Sequence, residues 1–344
     1  MHSLKDYSLN IPEAEYHNYP AWSYSVIAKY AKEGFSAIAT LHEPTTSSPS
    51  MEFGSLFDSI MTKGMKETLD NYIVCEMNVP PAEKCVLEEL AITSEYKHFD
   101  DIPAREVILA AESVRYQPKW GADARYRHIS EYAAYYDTVK SGKKMVSKSD
   151  WDDATQMADI FHNDEYLSNL FGTENSDDVE YIYQAQFVEN YELGNSHGDV
   201  KLKIMPDLLK VNHREKTIQP VDLKTSAMPA YSFADNFIKY RYDIQAELYT
   251  DVLELVKDKD PDYSDYTILP YLFTDVSRTD KVPVTYKYDP TEGFSYSRGD
   301  RMYEYKGWES LLNEILDYEE SQAKVPSYIK TDEPNDLITI LSRQ

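Results

Sequence analysis

The stretch from residue 178 to residue 257 constrains the fold most, because its hydrophobic period changes from two to 3.6. The runs "VEYIYQAQFVENYEL", "DVKLKIMPDLLKV" and "TIQPVDLKT" have strand character and are separated by the turns "GNSHG" and "NHREK". From Ser232 to about Lys257 the pattern becomes helical, with one apolar stripe formed by Phe237, Ile244, Leu248, Val252 and Leu255. The pattern predicts a β-meander of about three strands followed by a helix.

The rest of the chain predicts further helices around this segment. Residues 80–175 have the pattern of amphipathic helices, and the N-terminal region is also mostly helical in character. A strand at "YTILPYLFTDV", a helix at "GWESLLNEILDYEESQ" and an extended tail with Pro326 and Pro334 follow the meander. We therefore expect one α/β domain over residues 1–344, with a central mixed sheet flanked by helices. Residues 80–175 would be a helical insertion, and residues 178–275 would contain the sheet and helix that carry the site.

The segment "IQPVDLKTS" places an acid and a lysine two positions apart on a strand. Because strand side chains alternate, Asp222 and Lys224 share one face. The pair is either a surface ion pair at a sheet edge or part of a metal-dependent phosphodiesterase site. Asp207 lies on the second strand of the predicted meander, and a hairpin through "VNHREKTI" would bring it close to the pair. Two carboxylates can gather Mg²⁺, and a nearby lysine can orient the attacking water.

Two prolines lie inside these strand patterns. Pro206 directly precedes Asp207, and Pro220 precedes Asp222 by two positions. Because proline cannot donate to a sheet ladder, we expect bulges or strand ends at both positions.

The helix that follows carries a polar stripe beside its apolar one. In "RYDIQAELY", Arg241, Gln245 and Tyr249 are spaced i, i+4, i+8, and this stripe would hold a DNA phosphate and the lysine. Tyr249 is equally compatible with packing. Upstream, "FGSLFDSIM" forms an apolar helical stripe beside Asp58, which is either a solvated helix residue or a further metal ligand.

In this order, "IMPDLL", "VDLKT" and "RYDIQAELY" resemble the PD-(D/E)XK nuclease superfamily, in its RecB/RecE-type exonuclease branch with a Q-x-x-x-Y motif. The upstream "FGSLFDSIM" is similar to that branch's G-x-x-x-(H/D) helix, with Asp58 where many members have His. The segments "EYHNYPAWSYS" and "YKGWESLL" also resemble phage-encoded exodeoxyribonuclease VIII PDDEXK-like members. The resemblance implies a restriction-endonuclease-like core.

The resemblance also implies a metal site. Asp207 and Asp222 would bind Mg²⁺, with Mn²⁺ as the alternative, and the Leu223 carbonyl and Asp58 would supply further ligands. An Asp in place of His keeps a ligand and favours these hard cations.

The remaining roles concern the substrate. Lys224 would position or activate the attacking water, and Gln245 would orient the lysine or contact DNA. Tyr249 and Arg241 would support the helix or bind a phosphate. The implied activity is exonucleolytic cleavage of linear duplex DNA ends to 5′-phosphate products in phage recombination, replication or repair. A single-strand annealing protein and a homo-oligomeric ring are the implied partners.

Two alternatives stay open. One is a catalytically weak or inactive nuclease fold that binds DNA ends or a protein partner. The other is an unrelated acidic interaction protein that mimics DNA, although a mimic has no need for Lys224.

Charge and composition limit the choice of partners. The formal net charge is -25, which speaks against broad attraction to nucleic acid. Residues 197–224 nevertheless contain more Lys and Arg than Asp and Glu, which predicts a modest basic groove. The two cysteines, Cys75 and Cys85, exclude a disulfide framework, a zinc finger and a four-cysteine cluster. A polar N-terminus and the lack of a long apolar run predict a soluble protein of the cytoplasm, the host's if phage-encoded, with no membrane association.

Overall fold

The computed structural model describes residues 3–43, 47–194, 197–290, 293–298 and 301–321. The chain divides into two compact units, one of Met1–Ser50 with Phe161–Gln344 and one of Met51–Ile160. The predicted tail with Pro326 and Pro334 lies outside the described residues. Within the described residues, every helix is too short or too polar to cross a membrane.

Twelve helices and twelve strands are assigned within the described residues, besides short 3₁₀ turns. In chain order, the helices are α1 (Glu13–His17), α2 (Tyr24–Glu33), α3 (Pro49–Asn71), α4 (Pro81–Thr93), α5 (Ala104–Ser113), α6 (Ala122–Ser130), α7 (Ala133–Lys140), α8 (Lys148–Asn163), α9 (Glu165–Leu170), α10 (Phe233–Tyr240), α11 (Tyr242–Asp258) and α12 (Trp308–Ser321). The strands are β1 (Tyr72–Val74), β2 (Lys144–Val146), β3 (Val179–Tyr183), β4 (Phe187–Glu192), β5 (Asp199–Ile204), β6 (Leu208–Asn212), β7 (Thr217–Ser226), β8 (Thr267–Ile268), β9 (Tyr271–Ser277), β10 (Pro283–Tyr288), β11 (Phe294–Arg298) and β12 (Arg301–Tyr305).

The unit of Met51–Ile160 is mostly helical. Helix α3 is kinked at Gly64, which has φ 79° and ψ 165°, a backbone conformation that glycine adopts at low cost. The short parallel pair β1–β2 closes this unit's small sheet. Its core is formed by apolar residues of α4 to α7, with Phe99 and Tyr136 packed edge to face. The helices between residues 81 and 170 agree with the predicted helical character, whereas the status of 80–175 as an insertion stays a prediction.

The other unit contains a mixed sheet. Its strand order is β10-β9-β7-β6-β3, and β8 pairs with β7. Strand β7 runs parallel to β8 and β9 and antiparallel to β6. Helix α11 packs against β4, β5, β8 and α2, and the apolar residues of these elements form one core. The predicted α/β class, with a central mixed sheet flanked by helices, is confirmed.

The predicted three-stranded meander is wrong in its strand count. The run "VEYIYQAQFVENYEL" forms β3 and β4, which are separated at Gln184 with φ 49°. The run "DVKLKIMPDLLKV" forms β5 and β6, which are separated at Met205, Pro206 and Asp207. Strands β4 and β5 form an antiparallel hairpin outside the mixed sheet, and Trp22 adds an isolated parallel bridge to Leu202 of β5. The segment therefore contains five strands in two sheets.

The two prolines behave differently. The strand end expected at Pro206 is present, but Pro220 lies inside β7 and pairs with Leu209 in a continuous register with β6. On the other side of β7, the pairing with β8 ends at Ile218 and the pairing with β9 begins at Val221. Pro220 lies between the two, where no backbone N–H is needed for strand pairing. The Gln219 side chain fills the gap, because its Nε2 donates to the Pro270 carbonyl at 2.7 Å.

Candidate active site

Asp222 and Lys224 form an ion pair on the interior of the mixed sheet. Their side chains share one face of β7, and Lys224 Nζ lies 2.6 Å from Asp222 Oδ2. Asp222 is 2% exposed, and the Lys224 side chain is 19% exposed. Because Asp222 is buried, the alternative of a surface ion pair is wrong.

Gln245 of α11 connects both members of this pair. Its Nε2 donates to Asp222 Oδ1, and its Oε1 accepts from Lys224 Nζ at 3.1 Å. The helix is held over this face of the sheet by aromatic packing, in which Tyr242 stacks on Phe273 with ring centroids 5.7 Å apart. We name these three side chains, Asp222, Lys224 and Gln245, the site triangle. Each has a polar partner within it, which is how buried polar groups are retained in a core.

Asp207 joins the triangle from the break between β5 and β6. The prediction that it lies on a strand is wrong, because β5 ends at Ile204 and β6 begins at Leu208. The β6–β7 register ends at the pair Leu208 and Val221, beyond which no strand of the described residues pairs with this edge of β7. Asp207 Oδ2 takes that place and accepts the Leu223 N–H at 2.7 Å. The predicted convergence of two carboxylates and a lysine is therefore present.

The charge of Lys224 is stabilised by its surroundings. Burial lowers the pKa of this ammonium, but the Asp222 carboxylate and the nearby Tyr242 and Tyr24 hydroxyls raise it further, so the net pKa is raised. Nζ also lies 4.6 Å from the centroid of the Tyr242 ring, a cation–π contact. Lys224 is therefore a fixed cation and hydrogen-bond donor.

Tyr249 lies at the border of packing and site. Its ring packs edge to face against Tyr271 with centroids 6.2 Å apart. Burial first, and then the Asp222 and Asp207 charges, raise the pKa of its hydroxyl, which also has a backbone hydrogen bond from Met205. Both readings of this residue therefore have a structural basis, and its contact with DNA stays a prediction.

Asp275 is a buried acid beside the triangle that sequence reasoning missed. It pairs in register with Lys224 across β7 and β9 and is 1% exposed. Burial raises the pKa of its carboxyl to about 6, against the lowering effect of the Ser226 hydroxyl, which lies 3.3 Å from Oδ2. The sequence did contain a signal for this residue, because Asp275 is an acid within the mostly apolar strand pattern "YLFTDV".

Arg241 does not lie on the predicted helical stripe. The expected single helix is two helices, α10 and α11, and Arg241 separates them in a left-handed conformation with φ 57°. Its guanidinium binds Asp243 through Nε and Nη2, at 2.8 to 3.2 Å, and donates to the Lys306 carbonyl at 2.6 Å. The Tyr305 ring covers it at 4.9 Å. The i, i+4, i+8 spacing is therefore wrong for Arg241, and its role toward phosphate stays only a prediction.

Asp58 lies on α3, in the unit of Met51–Ile160. Its role as a metal ligand, like that of the Leu223 carbonyl, stays a prediction.

The basic groove stays a prediction, and the structure shows how four of its basic side chains are held. Residues 197–224 contain six Lys and Arg, and four of them have polar partners within their own unit: Lys203, Lys210, Lys216 and Lys224. Lys203 is the most enclosed, because its Nζ donates to three carbonyls between residues 16 and 19 at 2.8 to 3.0 Å. Neutral carbonyl partners leave the positive charge of Lys203 intact, and binding of DNA phosphates by these cations stays a prediction.

The donor set of the site suits a hard cation. No group of three or more His, Cys, Asp or Glu is placed to hold a metal ion within the part of the chain that the structure describes. Mg²⁺, however, is commonly bound by one or two carboxylates, with water and substrate oxygens as its other ligands. Each carboxylate oxygen has two lone pairs, so Asp207 and Asp222 retain acceptor capacity beside their present partners. The two residues therefore fit Mg²⁺ or Mn²⁺.

Comparison with known proteins adds little to this geometry. No protein-family model matches the chain, and no curated protein matches it. Among solved structures, it is similar to the crystal structure of a "Putative exonuclease" from Eubacterium rectale, with 12% sequence identity and a TM-score of 0.43 over 94% of this chain and 92% of that chain. So distant a likeness does not identify functional residues, and the chemistry depends on the contacts of Asp207 and the site triangle.

Proposed function

We propose that the protein is a divalent-metal-dependent DNA exonuclease whose phosphodiester hydrolysis takes place at Asp207 and the site triangle. One observation carries the proposal. A buried Asp222–Lys224 pair is held by Gln245, with a second carboxylate hydrogen-bonded to the adjacent Leu223 N–H. A sheet interior has no structural need for this cluster, because burying charges is costly even when they are paired.

Each residue has a role that suits its contacts. Asp207 and Asp222 would hold Mg²⁺, with Mn²⁺ as the alternative, and Asp58 and the Leu223 carbonyl are the further ligands that the resemblance implies. The cation would supply Lewis-acid stabilisation and an activated water. Lys224 donates to the attacking water or to a phosphate oxygen. Gln245 fixes the position of both charged groups, because its amide binds one through each end.

The substrate and biological role follow from the motif order rather than from the contacts. The resemblance to RecB/RecE-type exonucleases supports linear duplex DNA ends as substrate and 5′-phosphate products. It also supports a role in phage DNA recombination, replication or repair, with a single-strand annealing protein as partner and a homo-oligomeric ring as assembly. With a net charge of -25, the chain would depend on bound cations to accept the DNA backbone.

A second candidate is supported by the same triangle. Asp222 Oδ1 accepts from Gln245 and Oδ2 is ion-paired with Lys224, so the charge of Asp222 is already compensated within the protein. A nuclease fold with weak or no catalysis, serving to bind DNA ends or a protein partner, would keep this arrangement.

The test compares a linear duplex with a covalently closed circle of the same sequence. Both are incubated with Mg²⁺, with Mn²⁺ and with a chelator. Asp222→Asn is the site variant, and Asp265→Asn is the matched control, because Asp265 is an exposed acid of the same unit that pairs with Lys216. The expected result is metal-dependent loss of the linear duplex only, abolished in Asp222→Asn and retained in Asp265→Asn.

Other outcomes separate the candidates. Cleavage of the circle as well would show an endonuclease instead of an exonuclease, and the proposed phosphodiesterase site would stand. Intact DNA in every reaction would refute the proposed nuclease activity. A gel shift of end-labelled DNA would then support the second candidate, a nuclease fold that binds DNA ends.

A further inference from the structure

Tyr271 is the first residue of β9 and is completely buried. Asp222 pairs with Phe273 in the parallel register of β7 and β9. Because strand side chains alternate, Tyr271 lies on the same sheet face as Phe273 and therefore on the face of Asp222 and Lys224. The fold thus places a phenol beside the site triangle.

The Tyr271 hydroxyl has no hydrogen-bond partner among the residues that the structure describes. Two other tyrosines, Tyr136 and Tyr286, differ in this respect. Tyr136 donates to the Tyr96 carbonyl at 2.6 Å, and Tyr286 donates to the Ala230 carbonyl at 2.6 Å. A buried hydroxyl without a partner reduces stability, so it calls for a specific explanation, such as an ordered water or ion.

The surroundings of this hydroxyl indicate what its partner would be. Burial first, and then the charges of Asp222 and Asp207 together with the Tyr249 hydroxyl, raise its pKa well above the usual value. The phenol therefore lies near the two carboxylates that fit a hard cation. Mg²⁺ retains several waters when proteins bind it, and these waters need hydrogen-bond partners in a buried site.

We propose that Tyr271 is a positioning residue whose hydroxyl hydrogen-bonds a hydration water of the divalent cation held by Asp207 and Asp222. This inference rests on the proposed metal-dependent function. It also gives a reason for a polar atom that the described residues leave unsatisfied. Removing the hydroxyl should therefore weaken cation binding without weakening the metal-free fold.

The experiment measures thermal unfolding of the full chain during titration with Mg²⁺ and with Mn²⁺. The variants are Tyr271→Phe, Asp222→Asn and the matched control Tyr286→Phe, which loses a satisfied hydroxyl on the neighbouring strand. Without metal, Tyr271→Phe should melt at the wild-type temperature or a few degrees above it, whereas Tyr286→Phe should melt lower. The cation concentration for half of the stabilising shift should rise about 10- to 100-fold in Tyr271→Phe and stay unchanged in Tyr286→Phe.

Three results would overturn the inference, and they are distinguishable. If wild type and Tyr271→Phe respond equally to the cations while Asp222→Asn does not respond, only the role of Tyr271 fails. A lower melting temperature of metal-free Tyr271→Phe would show that its hydroxyl has a protein partner, which removes the premise. If wild type itself shows no shift with either cation, the proposed metal site fails together with the inference.

Discussion

Replacing Lys224 by Met tests the energetics of the site triangle. The substitution keeps most of the apolar stem and removes the ammonium, so Asp222 loses its 2.6 Å ion-pair partner and retains only the Gln245 amide. Because Asp222 is 2% exposed, water offers little compensation. Breaking a buried pair by removing one partner costs about 3–5 kcal/mol. The lost bond to Gln245 and the contact with the Tyr242 ring belong to the same network, so their energies do not simply add.

The double variant Asp222→Asn/Lys224→Met separates this explanation from a general packing defect. With both charges removed, no buried charge is left uncompensated, so the loss should be smaller than the sum of the two single losses. We expect a coupling energy of about 2 kcal/mol, within the range for residues in direct contact.

Differential scanning calorimetry in metal-free buffer at pH 7 measures these effects. It can resolve the transition of the unit that contains β7 from that of the other unit, if the two unfold separately. A loss of about 3–5 kcal/mol corresponds to a decrease of about 6–20 °C in the melting temperature of Lys224→Met. A Lys224→Met variant within about 0.5 kcal/mol of wild type, or strictly additive single variants, would refute the buried-pair reasoning.

Three further changes have defined outcomes. Burial and Asp243 raise the pKa of Glu247 to about 8, above its unfolded value. The stability that this carboxyl contributes is therefore present at low pH and is lost as pH rises through 8. In melting curves from pH 5 to 9, Glu247→Gln should remove this loss. Lys203→Met leaves three carbonyls between residues 16 and 19 without their donor, so urea unfolding should show a loss of about 2–4 kcal/mol. Gln245→Leu should lower the initial rate of Mg²⁺-dependent DNA digestion about 10- to 100-fold, and a wild-type rate would contradict its positioning role.

The parts of the site that local sequence rules govern were predictable. Alternation along a strand places Asp222 and Lys224 on one face whatever the neighbouring strands are. The position of Gln245 was predictable from the helical period and from the motif order, which together indicated the helix that covers Asp222 and Lys224. Because these rules depend only on backbone geometry, they hold although the predicted meander was wrong.

The parts that depend on tertiary contacts were not predictable. Arg241 adopts a left-handed conformation that a non-glycine residue disfavours, and its bonds to Asp243 and to the distant Lys306 carbonyl hold it there. Pro220 lies inside a strand because the partner on one side changes at that point, which only the sheet order reveals. The burial of Asp275 likewise depends on β7 and β10 pairing on both sides of β9.

The central claim is that Lys224 and the two carboxylates hydrolyse phosphodiesters. The most direct measurement is Mg²⁺-dependent release of label from a linear duplex labelled at one 5′ end, with wild type and Lys224→Met compared at a temperature where both are folded. The account predicts stepwise release by wild type and a rate about 100- to 1000-fold lower for the variant, the range for loss of one preorganised charge-stabilising donor. Equal release by both proteins would contradict the claim, as would DNA that wild type leaves intact with Mg²⁺ and with Mn²⁺.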